Sequence, residues 1–130
     1  MYISAVERMK KVHIWLGQIN RGNDQYFEYF NQEDEISQFS KDIGSSEEYD
    51  EDFIGMLPPF EQELSVLQIL EDEVPIDVKD IPKALQRCND LNIKSANAVF
   101  YLSDASVTLS VPYKKNYIGL FYIGFYNSSL

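Results

Sequence analysis

One cysteine and one histidine occur in 130 residues. A lone Cys88 cannot form an internal disulfide, so it fits a reducing compartment or plain core packing. One Cys and one His also cannot assemble a zinc motif. Basic residues are scarce: 11 Lys+Arg stand against 21 Asp+Glu, giving a formal net charge of -10. Phosphate backbones and anionic membrane surfaces repel such a chain, so neither nucleic acid nor membrane is an expected partner. Long apolar runs are missing. The longest covers residues 117–126 and as a helix would span about 15 Å, half a bilayer core. Residues 1–11 carry charge where a signal peptide would be apolar, so a cytoplasmic location is expected. Glycine is sparse, and Gly17 and Gly22 form no phosphate-binding pattern. No EF-hand layout follows Asp50, and neither cofactor nor metal is expected.

The residues present describe a globular domain. Hydrophobic residues make up 45% and charged residues 25%, and the length suits a single core. Residues 12–19 are short, β-branched and apolar on both faces, as an interior strand would be. Asn20 to Asn23 reads as a turn, and Asn23 is placed to cap a helix carrying Tyr26, Phe27, Tyr29 and Phe30. Asp34 is placed to cap a second helix, with Ile36, Phe39, Ser40 and Ile43 inward and Gly44 as its stop. Residues 45–52 form an acidic loop into 53–57, where Pro58 and Pro59 block regular helix or central strand. Ser65 opens a capping box and a short helix. A further helix begins near Asp80, with Pro82 in its first turn and Ala84, Leu85, Cys88 and Leu91 inward, ending at Asn92. Residues 96–102, 107–111 and 117–126 read as strands, joined by turns at 103–106 and 114–116. The fold class expected is α+β: one layered domain with an N-terminal strand, helices on one face, and a C-terminal antiparallel three-strand meander in the same sheet.

Charge is the most informative pattern after the sheet. Residues 28–80 hold 17 acids and two bases, Lys41 and Lys79, a net of -15. The rest holds four acids and nine bases, a net of +5, and the two parts sum to the total. The middle cluster, Glu47, Glu48, Tyr49, Asp50, Glu51, Asp52 and Phe53, interleaves acids with aromatics. That mixture suits an interface with a basic protein, combining anchors with a steering field. It also suits a solvated loop that keeps the chain soluble, or a metal-binding loop. Tyr49 and Phe53 read either as interface anchors or as core residues. Catalytic groups are few. His13 lies mid-strand and Cys88 on an inward helix face, so both are expected to be structural. Tyr113, Lys114, Lys115 and Tyr117 form one basic-aromatic patch, better explained by a hairpin turn.

Residues 12–17, Val-His-Ile-Trp-Leu-Gly, followed by Tyr26-Phe27-Glu28-Tyr29-Phe30, resemble the immunity protein 22 family. Its hallmark Trp-x-Gly ending the first strand is matched by Trp15-Leu16-Gly17. The likeness continues through Phe39–Gly44, the segment from Tyr49 to Phe53, and the late Asn97-Ala98-Val99 strand. It covers roughly residues 11–126, which makes 11–130 the immunity-type domain and 1–10 an N-terminal extension. Members are small α+β proteins encoded beside bacterial polymorphic toxins. The resemblance implies a non-enzymatic protein that binds and neutralises a cognate toxin. A nuclease toxin would have a basic, phosphate-holding surface that an acidic inhibitor could cover. No toxin-contact residue is carried over, and Trp15 and Gly17 are read as mainly structural. The competing readings are an acidic adaptor or regulatory domain, and a small carboxylate- or metal-dependent enzyme.

Overall fold

The computed structural model describes residues 4–19, 23–33, 35–44, 49–57, 62–107, 109 and 118–129. Among them the elements run α1 (Ala5–Arg8), β1 (Lys11–Gly17), α2 (Asn23–Phe30), α3 (Gln38–Asp42), β2 (Ile54–Leu57), β3 (Leu64–Ser65), α4 (Val66–Asp72), α5 (Ile81–Asp90), β4 (Ser95–Ala96), β5 (Ala98–Leu102) and β6 (Leu120–Asn127). Single 3-10 turns sit at Glu51–Phe53 and Val78–Asp80. The protein is α+β, and its four-stranded sheet has the order β2-β5-β1-β6, with every pairing antiparallel. A two-stranded ribbon joins β3 to β4.

β1 explains the layering. Its two faces are apolar, and both are covered. Val12, Ile14 and Leu16 pack with Val66, Ile69 and Leu70 of α4 and Ile81, Ala84 and Cys88 of α5. Trp15, on the opposite face, packs with Tyr26 and Phe30 of α2, Phe39 of α3 and Phe100 of β5. Helices therefore cover both faces of the sheet, not one as the chain order suggests. The reason is β1 itself: a strand buried at every position from Val12 to Gly17 needs a covering layer on each side.

The local signals set most helix ends. Ser65 caps α4 by accepting the Gln68 N–H at 3.2 Å. α5 ends in a Schellman arrangement: Asn92 takes a positive φ of 60°, and the Ile93 N–H reaches the Cys88 carbonyl at 2.8 Å. Gly44 has φ 82° just past α3. The cap of α3 is Ser37, whose hydroxyl accepts the Ser40 N–H at 3.0 Å. Asp34, read as that cap, lies outside the described residues. On α2 three of the four aromatics are buried, whereas Phe27 is largely exposed.

The sheet departs from a simple meander. β5 and β6 do not pair with each other but flank β1 on either side. Residues 54–57, where the prolines that follow argue against a helix or a central strand, form β2, which pairs with β5 at one end of the described sheet order. Of the strand expected at 107–111, Val107 and Leu109 are described and lie in no strand. Residues 20–22 of the turn expected at 20–23, the turn expected at 114–116 and the Pro58-Pro59 break lie outside the described residues, and Asn23 begins α2. β6 stands at the other end of the described sheet order and alternates between buried and less buried positions toward its end. Among the described residues no helix is long and apolar enough to cross a membrane.

Candidate functional site

The acidic segment divides into a buried part and an exposed part. Asp50 caps the 3-10 turn: its Oδ1 accepts the Asp52 N–H at 3.0 Å, and its carbonyl accepts the Phe53 N–H at 3.0 Å. Glu51 and Asp52 project into solvent, and Asp50 is half-buried. Tyr49 and Phe53 are each only 8% exposed and belong to the aromatic core under α2 and α3. Glu47 and Glu48 lie outside the described residues.

Tyr49 is held at three points. Its hydroxyl donates to the Phe30 carbonyl at the end of α2. The buried Gln32 amide reads both of its backbone groups: Oε1 accepts the Tyr49 N–H at 2.9 Å, and Nε2 donates to the Tyr49 carbonyl at 3.1 Å. Gln32 Nε2 also lies 3.3 Å from Glu51 Oε1. Buried polar groups satisfied in this way hold a segment in one register. The aromatics of the cluster thus pack against the chain's own core, and its outward chemistry is carboxylate.

A cation that the sequence reading missed closes the other side of the turn. Arg8 of α1 forks onto Asp104, Nε to Oδ1 at 3.1 Å and Nη2 to Oδ2 at 2.5 Å. Its Nη1 lies 3.4 Å from Asp50 Oδ2. The guanidinium carbon sits 4.2 Å from the centroid of the Phe53 ring. Burial pushes the Asp104 carboxyl up, but hydrogen bonds from Arg8 and from the Ser106 N–H and hydroxyl outweigh it, holding the group below the usual carboxylate range. The only sequence signal was the turn expected at 103–106; no local pattern marks Arg8 as its partner.

An open groove of about 840 Å³ runs between α2 and α3. Asp24, Glu28 and Glu35 line it, with Lys41 as its cation. At its wall the Tyr29 hydroxyl donates to Asp42, and Gln38 Nε2 donates to the same carboxylate at 3.0 Å. The Lys41–Glu35 pair, 3.9 Å apart and exposed, contributes little.

His13 and Cys88 are not brought together. His13 faces the aromatic layer, with Nε2 donating to the Val107 carbonyl at 2.9 Å and Nδ1 2.8 Å from the Tyr122 hydroxyl. A carbonyl can only accept, so Nε2 carries the proton and the neutral Nδ1 accepts from Tyr122. Cys88 is buried in the other layer, where burial pushes its thiol up to about 11. A Cys–His dyad is therefore ruled out by the sheet between them. Trp15 is fully buried with its ring edge-on to Phe39 at 4.9 Å. Gly17 ends β1 where the main chain of Gly119 and Leu120 crosses it.

A protein-family model described as Immunity protein 22 matches residues 12–128. No curated protein and no solved structure matches the chain.

Proposed function

This chain belongs to the Immunity protein 22 family, and from that premise we propose that it binds a cognate bacterial toxin in the cytoplasm and neutralises it without catalysis. The observation that supports an acidic binding face is the turn at residues 50–53. Its aromatics anchor inward while Glu51 and Asp52 stand in solvent on a hydrogen-bonded frame. Carboxylates held on a rigid turn attract a cationic surface without the entropy loss of ordering a loop on binding. The α2–α3 groove adds Asp24, Glu28 and Glu35 to the same kind of field. A nuclease toxin, with a basic channel that grips phosphates, fits such a face, and covering that channel would stop the enzyme.

The test is binding to the toxin encoded beside this gene, followed at two salt concentrations. Wild-type association should slow as salt rises, because fields between exposed charges are screened beyond about 8 Å at physiological salt. Mass spectrometry of the toxin after incubation should show no covalent change. A toxin chemically altered by catalytic amounts of this chain would establish an enzyme instead. An association rate indifferent to salt would remove the acidic face from the mechanism.

A further inference from the structure

We propose that Arg8 is the positioning residue of the acidic turn, so that α1, which lies ahead of the family match, works as part of the binding face. The turn at Glu51–Phe53 is a single 3-10 turn and cannot hold its shape through its own hydrogen bonds alone. Its exit is fastened to the sheet side by the Ser103 N–H, which donates to the Phe53 carbonyl at 2.7 Å. Its entry is held by Gln32 on Tyr49 and Glu51, and a third fastening, on the cap and on Phe53, is Arg8. One guanidinium meets Asp104 through two nitrogens, meets Asp50 through the third, and covers the Phe53 ring. Asp104 is itself fixed: its carboxylate is 2% exposed and accepts two hydrogen bonds from Ser106. Backbone pairing holds Arg8 in turn, since its carbonyl accepts the Ala105 N–H at 2.7 Å. Arg8 therefore joins a rigid loop to the cap and to the terminal aromatic of the turn that carries Glu51 and Asp52.

Lysine cannot replace it. A single ammonium on a flexible stem can pair with Asp104 or with Asp50, but it has no planar fork to serve both and cover a ring. The bearing of Arg8 on toxin binding rests on the reading above that the exposed acids of this turn face the toxin.

The experiment is hydrogen–deuterium exchange on the full-length free protein, wild type against Arg8→Lys, with β1 as the internal reference. Exchange at residues 51–53 should quicken about tenfold while β1 keeps its wild-type rate, because the loss is a local opening. Should Arg8→Lys not fold, the double variant Arg8→Gln/Asp104→Asn gives the same comparison without leaving a buried carboxylate unpaired. Wild-type exchange at 51–53 in a folded variant overturns the proposal, as does equal acceleration in β1. Binding of the adjacent-gene toxin is measured on the same variant and should weaken about tenfold. Faster exchange with wild-type toxin affinity would leave Arg8 as the positioning residue and instead refute a toxin-facing turn.

Discussion

His13 shows how much a single side chain depends on its surroundings. The ring is 3% exposed, stacked on Phe125 at 4.1 Å and hydrogen-bonded at both nitrogens. Burial lowers its pKa below the ordinary 6.5, against a smaller raising effect from the Val107 carbonyl. The folded protein thus refuses a proton that the unfolded chain accepts. His13 costs no stability above the unfolded value, and stability is lost as pH falls through about 6.5 toward the folded value. Urea midpoints at pH 7.5 and 5.5 should show that loss in the wild type and a smaller one in His13→Gln. The carboxylates held low, Asp104 and Asp80, titrate well below this window and do not mask it. An equal pH dependence in the two proteins would mean that the imidazole is not the group responsible.

Gly17 and Gly55 mark close approaches of different kinds between elements. At Gly17 an added Cβ would press on the Gly119 carbonyl oxygen and come within 3.0 Å of the Leu120 Cα, all main chain. At Gly55 of β2 it would meet the ring of Tyr101, a half-exposed side chain that can rotate away. Backbone cannot yield without shifting β6 against β1, so Gly17→Ala should cost about 3 kcal/mol and Gly55→Ala about 1 kcal/mol. Thermal or urea unfolding of the two variants checks this order. Equal costs would show that β6 can slide freely along β1. The same contact gives the Trp-x-Gly motif its physical meaning: Trp15 fills the aromatic layer while Gly17, two residues on, lets the turn before β6 cross the strand end.

Across the molecule, the described acids of residues 28–80 are divided between two sides of the sheet. Glu51 and Asp52 belong to the turn that anchors in the aromatic layer, whereas Glu71 and Asp72 sit on α4, on the other side of the sheet. Equal changes in net charge should then have unequal effects. Glu51→Gln with Asp52→Asn should slow toxin association several-fold at low salt, and Glu71→Gln with Asp72→Asn should slow it much less, because steering depends on charge within about one screening length of the contact. Stopped-flow association for the two double variants decides the matter. Identical slowing would assign the effect to total charge, with no preferred face.

The interior strand and most helix ends were legible in the residues alone. Double-faced apolarity made β1 an interior strand, Ser65 and Pro82 set helix starts, and Asn92 and Gly44 set helix ends. These signals are local, since backbone dihedrals and side-chain periodicity are decided within a few residues. Tertiary structure alone decided the order β2-β5-β1-β6, the placing of helices on both faces, and the inward turn of Tyr49 and Phe53 amid acids. It also decided the pairing of Arg8 with Asp104, 96 residues apart. Several strands and helices offer apolar surfaces of similar quality, and which of them meet depends on the collective packing of two cores around one sheet. That choice leaves no trace in the spacing of residues along the chain.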